Sequence, residues 1–196
     1  IPFQENWVAR LPYPLAVKVQ TAHQTSDVAS RFGALDGLML ATVKYLATLA
    51  FAQFRKDMPR VTELRAWLAH LSRRYLGDWV ELVEKVDTHY RQDMAHRPPV
   101  AVLLDDALNR PVLEDSAVWR GHQEILRRLP GRTQERPSTL LAFLQVLVAY
   151  RENTWGTGFL HLPPEFVEAL LPLLWAAWQE LMLSLSFLSD YPLRYA

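Results

Sequence analysis

The chain has 196 residues, half of them apolar and 21% charged, a balance that fits one folded domain of upper-middle size and excludes a disordered chain. Lys plus Arg and Asp plus Glu number 21 each, so no overall charge draws the protein to nucleic acid or to an acidic membrane, and such binding would need a local patch. The absence of cysteine excludes disulfides, thiolate metal sites and cysteine nucleophiles, and fits a cytoplasmic setting.

Segment 1–25 reads as an extended arm, because Leu11-Pro12-Tyr13-Pro14 places two prolines where a helix interior needs amide donors. From 27 to 56, Phe32, Leu35, Leu38, Met39, Val43, Leu46, Leu49 and Phe54 recur with the helical period. Gly33 and Gly37 lie within this helix. Each costs up to about 1 kcal/mol of helix propensity against Ala, and close approach of another helix is the expected offset. Met58-Pro59 ends the helix.

Residues 61–75 read as a short amphipathic helix with Leu64, Trp67, Leu68 and Leu71 inward. Gly77 breaks it, Asp78 is placed as an N-cap with Glu81 in the reciprocal position, and a helix follows from 79 to about 95. Pro98-Pro99 stops that helix, and 97–112 becomes an irregular connection, with a brief strand or hairpin as the alternative. A helix over 114–129 turns Val118, Ile125 and Leu126 inward, with Gly121 its weak point, and Pro130-Gly131 opens a polar loop.

Over 139–158, Leu140, Leu141, Leu144, Leu147 and Val148 recur at helical spacing as a buried face, and Gly156 and Gly158 close the helix. Leu162-Pro163-Pro164-Glu165 begins the last helix. Its apolar stretch, 166–188, is interrupted by Glu168, Pro172, Gln179 and Glu180, which favours burial in a soluble bundle over a membrane span. The expected fold is all-α, a single-domain bundle of about six helices, with the helix ending at Tyr150 and the final helix as its central pair. A start at Ile1 and an end in Tyr191-Pro192-Leu193-Arg194 read as a piece of a longer protein.

Tyr150-Arg151-Glu152-Asn153-Thr154-Trp155-Gly156-Thr157-Gly158 resembles the signature that closes the penultimate long helix of bacterial HEPN-type helical domains. In that signature an Arg and a polar residue are followed, after a spacer, by His-Gly. Tyr75-Leu76-Gly77-Asp78-Trp79-Val80-Glu81-Leu82, and Phe187-Leu188 with Tyr191-Pro192-Leu193, resemble two further stretches of the same group. Two positions depart: Glu152 follows Arg151 directly, with Asn153 one place late, and Thr157 stands where the His would be.

For active members the resemblance implies a metal-independent ribonuclease assembled across a dimer, the Arg stabilising the scissile phosphate and the His moving protons. Thr157 does not titrate near neutral pH. Arg151, Glu152, Asn153 and Thr157 are therefore expected to be a degenerate catalytic set. The implied function is a non-catalytic interaction or dimerisation module of a larger intracellular bacterial signalling or defence protein, needing no cofactor. The alternatives are a dimeric endoribonuclease in which another group, such as His161, moves the proton, and an RNA- or nucleotide-sensing domain.

Two other clusters bear on partners. Arg120, Arg127, Arg128, Arg132 and Arg136 outnumber Glu124 and Glu135 locally, which suits RNA phosphates or an acidic partner, although a solvated helix face needs neither. His89, Asp93 and His96 share one helix face, a donor set acceptable to Zn²⁺ or Fe²⁺. About 10 Å of helical rise separates the first from the last, so a polar face with no metal is expected. Asp105-Asp106 is expected to cap a turn.

Overall fold

Among the described residues, three helices carry proline in their first turn. The computed structural model describes residues 8–55, 76–128, 139–155 and 163–191, and among these residues it is all-α. The helices are α1 (Tyr13–Gln24), α2 (Val28–Phe54), α3 (Leu76–Gln92), α4 (Pro99–Leu108), α5 (Ala117–Leu126), α6 (Leu140–Trp155) and α7 (Pro164–Ser184), with 3₁₀ turns at Met94–His96 and Ser186–Asp190. Pro111 and Thr139 meet in an isolated antiparallel bridge.

The first turn of a helix has no intrahelical acceptor for its amides, so proline costs nothing there and its fixed φ is already helical. Pro12 caps α1 and Pro14 sits in its first turn, so Tyr13–Gln24 of the expected extended arm 1–25 is helix. Leu15, Val19 and Ala22 of α1 are fully buried. In the same way Pro98 caps α4 and Pro99 opens it, so the expected irregular connection 97–112 carries a helix that buries Val100, Ala101, Leu104, Ala107 and Leu108. Pro163 and Pro164 do the same for α7, as expected.

The remaining termini follow ordinary capping chemistry. The Asp27 carboxylate accepts from the Ser30 amide at 2.7 Å and starts α2, and that bond holds its carboxyl below the usual value. Ser116 accepts from the Trp119 amide at 3.1 Å to start α5, after a turn in which Asp115 adopts φ 63°. Thr139 Oγ1 accepts from the Ala142 amide at 3.2 Å at the start of α6. Gly77 and Asp78 lie within the first turn of α3, so Asp78 contributes its negative charge to the helix dipole rather than acting as the expected cap, and α3 ends at Gln92.

α2 is the hub. Twelve of its residues are buried, and it packs against α1, α3, α4 and α7. The expected pairing of α6 with α7 is not how the bundle is built. α5 packs along α7 and also against α6, while α6 rests on α3 and α4. The reason is Gly121: a Cβ built there would stand 3.1 Å from Ala177 Cβ and 3.6 Å from the Leu173 carbonyl oxygen, so α5 and α7 approach backbone to backbone. Gly37, by contrast, has nothing within 4 Å of such a Cβ, and among the described residues no helix makes the close approach expected there.

α7 passes through the middle of the core despite Pro172, which leaves the Glu168 carbonyl without its helical donor. Trp178 is fully buried and donates its indole N–H to Thr42 Oγ1 of α2 at 3.0 Å, satisfying both polar groups. By length and composition α2 and α7 could each cross a membrane. In the bundle 56% and 39% of their most apolar windows are buried. The expected helix at 61–75, the stop at Met58-Pro59, the Pro130-Gly131 loop and the closing glycines 156 and 158 lie outside the described residues.

Candidate functional site

α6 buries Leu140, Phe143, Leu144, Leu147, Val148 and Tyr150, so its inward stripe delivers the next residue, Arg151, to the flank of α2. There Arg151 Nε donates to Asp36 Oδ2 at 3.3 Å. The two side chains are 27% and 17% exposed, a pair half withdrawn from water. Burial raises the Asp36 carboxyl above its ordinary value by more than the facing guanidinium lowers it. Desolvation thus outweighs the ion pair, as is common for charges taken out of water.

The pair sits on the rim of an apolar cavity lined by Phe32, Leu35 and Leu40 of α2, Leu76 of α3, Leu147 of α6 and Leu174 of α7. Its enclosed space is about 20 Å³, room for a single water and far below the pockets that hold small molecules. A ribose with its phosphate does not enter it. Glu152 and Asn153 continue α6 for its last turn, their side chains lying outside the description together with all of Thr157. Of the four signature residues, Arg151 alone is placed with its side chain, and it is bonded inward.

The arginine patch is partly spent on internal bonds. Arg120 donates to the Asp115 carbonyl at 2.8 Å, Arg127 pairs with Glu124 at 3.2 Å, and Arg128 pairs with the same carboxylate. Arg128 also lies 4.4 Å above the Phe166 ring. Burial lowers its affinity for a proton somewhat. Arg132 and Arg136 lie outside the described residues. One carboxylate thus offsets two of the cations that sequence reading offered to RNA.

His89, Asp93 and His96 do not converge. His96 Nδ1 lies 3.0 Å from Asp93 Oδ1 beyond the end of α3, and that hydrogen bond holds the Asp93 carboxyl below its usual value. His89 instead meets Phe54 and Tyr90 edge to face at 5.4 and 5.1 Å. No group of three metal-ligating side chains occurs among the described residues.

Sequence reading missed a second polar cluster, between α3 and α4. Asn109 Nδ2 donates to Asp87 Oδ2 at 2.9 Å and to Asp105 Oδ1 at 2.6 Å, bridging two carboxylates. Arg97 pairs with Asp105, and Arg91 lies 3.8 Å from Asp87 and 3.6 Å from Asp105. Asp87 is 5% exposed; burial raises its carboxyl, the Asn109 bond lowers it, and the nearby Asp105 charge raises it further. The signal is the spacing of Asp105 and Asn109, one helical turn apart, hidden by Pro98-Pro99, which reads as a break before an irregular segment. Two arginines and an amide around two carboxylates make a network that ties α3 to α4, the role of a structural staple, with Asp87 Oδ1 left without a hydrogen-bond partner among the described residues. No family model matches the chain, and no curated protein and no solved structure matches it either.

Proposed function

We propose that the chain is a non-catalytic helical interaction module, HEPN-like in kind, that pairs with a second copy of itself across the exposed face of α2. The observation that carries this reading is the bond between Arg151 and Asp36. A nuclease would aim that guanidinium at a phosphate; here it is held by the chain's own carboxylate, beside a cavity of about 20 Å³.

Gly37 follows Asp36 directly, and its open surroundings leave room for a second helix. Ser30, Lys44 and Thr48 continue the same exposed face at helical spacing. With equal numbers of acidic and basic residues, two copies do not repel one another. An intracellular bacterial signalling or defence role, away from membranes, belongs to the same proposal and rests on the resemblance around Arg151.

Light scattering across a concentration series tests it. The expected result is a mass that rises from one chain to two with concentration, and stays at one chain for Gly37→Trp, whose Cβ meets nothing within 4 Å among the described residues. A single-chain mass at every concentration refutes dimerisation. Incubation with a mixed RNA pool in chelator tests the other half: no cleavage is expected, and cleavage that disappears in Arg151→Ala overturns the non-catalytic reading.

A further inference from the structure

A second concavity lies away from Arg151, where the end of α1 and the start of α2 face the middle of α7. Among the described residues it is lined by Ala22, His23, Arg31, Leu171, Pro172 and Trp175, and it offers about 400 Å³ of space to solvent, within the range of small-molecule sites. Its chemistry is uneven in a useful way. Leu171, Pro172 and the Trp175 indole give one apolar, partly aromatic wall, and Arg31 gives a cation opposite it.

Arg31 is held in place, because its Nε donates to the Thr25 carbonyl at 2.8 Å, past the end of α1. That is the bond Arg31 makes among the described residues, so both terminal nitrogens of the fork stay available on a side chain whose orientation is already fixed. No carboxylate lines the groove among the described residues. A half-buried guanidinium with two parallel donors matches a carboxylate bidentately, and an indole with a proline ring beside it favours a flat apolar body.

We infer that this groove binds small planar carboxylates, the acid group on Arg31 and the ring system against Trp175 and Pro172. The site is independent of the dimer face and of Arg151, and its success or failure does not depend on either. The test uses 2-naphthoate as probe and 2-naphthalenemethanol, its neutral counterpart, as control, with tryptophan fluorescence and calorimetry as readouts on the whole chain. The expected result is saturable binding of naphthoate, weakened about tenfold or more by Arg31→Gln, with the alcohol weaker on the native protein and unaffected by that change. Trp175→Leu is expected to weaken both probes.

Circular dichroism and the thermal midpoint verify that each variant is folded, and Arg31→Lys, which keeps the charge, is expected to fall between native and Arg31→Gln. No binding of naphthoate up to its solubility overturns the inference. So does equal binding of acid and alcohol, or naphthoate affinity unchanged in a folded Arg31→Gln.

Discussion

One substitution made at two glycines should give opposite signs. Gly37 and Gly121 both lie inside α-helices, so replacing either by Ala removes the same helix-propensity penalty, about 1 kcal/mol. At Gly37 the new methyl meets nothing within 4 Å, and the full gain should appear. At Gly121 it would stand 3.1 Å from Ala177 Cβ, well inside the ~3.5–4 Å at which carbons attract. Ala177 is fully buried and its methyl is fixed to the α7 backbone, so it has no rotamer through which to retreat. The helices themselves must part, against the rest of the α5–α7 contact. Overpacking of that kind costs roughly 1–3 kcal/mol, which outweighs the propensity gain.

The expected outcome is that Gly37→Ala stabilises by about 1 kcal/mol and Gly121→Ala destabilises by about 1 kcal/mol, a gap of some ~4–8 °C in thermal midpoint. Urea unfolding of dilute, monomeric protein measures it, with unchanged m-values showing that the native compactness is kept. If Gly121→Ala stabilises as much as Gly37→Ala, the close approach of α5 and α7 is not what the bundle is built on.

Further outcomes follow from the buried polar groups. Arg151→Met alone leaves the Asp36 carboxylate half-buried and uncompensated and should cost about 1–3 kcal/mol, whereas the double change Asp36→Leu with Arg151→Met should be close to neutral; a double variant worse than the single would show that the pair stabilises the fold. Asp87 carries a carboxyl raised mainly by burial, so folding favours its protonated form. That contribution is whole below the ordinary aspartate value and is lost as pH climbs through the native one. The stability of Asp87→Asn relative to native protein should therefore increase as pH is raised from acid to neutral, and chemical denaturation showing a flat or falling difference would reverse the assignment. Trp178→Phe removes the donor to Thr42 Oγ1, whose hydroxyl still donates to the Leu38 carbonyl at 3.0 Å, so the lost hydrogen bond should cost about 0.5–1.5 kcal/mol. Trp178→Phe with Thr42→Val should recover part of it, and no recovery would mean that the hydrogen bond carries none of the loss.

Helical periodicity made α2, α5, α6 and α7 legible, because their buried residues recur at the spacing of one face: Phe32, Leu35, Leu38 and Met39 in α2, Val118 and Ile125 in α5. Proline misled the reading elsewhere. Pro14 and Pro99 look like breakers in the sequence, yet each stands in a first turn, where its missing amide has no bond to lose. Which side of a proline carries the helix depends on what the following apolar residues pack against, and that is tertiary information. Glycine misled it for the same reason: Gly37 and Gly121 look alike in a sequence, and only the neighbouring helix distinguishes open space from contact. At the candidate site, the sequence marked Arg151 but offered no hint of Asp36, which lies 115 positions away and is joined to it by the packing of α6 near α2.

The most direct test of the interaction face exploits the absence of cysteine from the native chain. Single cysteines are placed at Gly37 and, as a control, at exposed Thr88 on α3, and each variant is mildly oxidised and run on a non-reducing gel. Pairing of two copies across α2 should give a disulfide-linked dimer from Gly37→Cys and leave Thr88→Cys as single chains. Efficient linkage through position 88, or none through position 37 at concentrations where the native protein is dimeric, would contradict it.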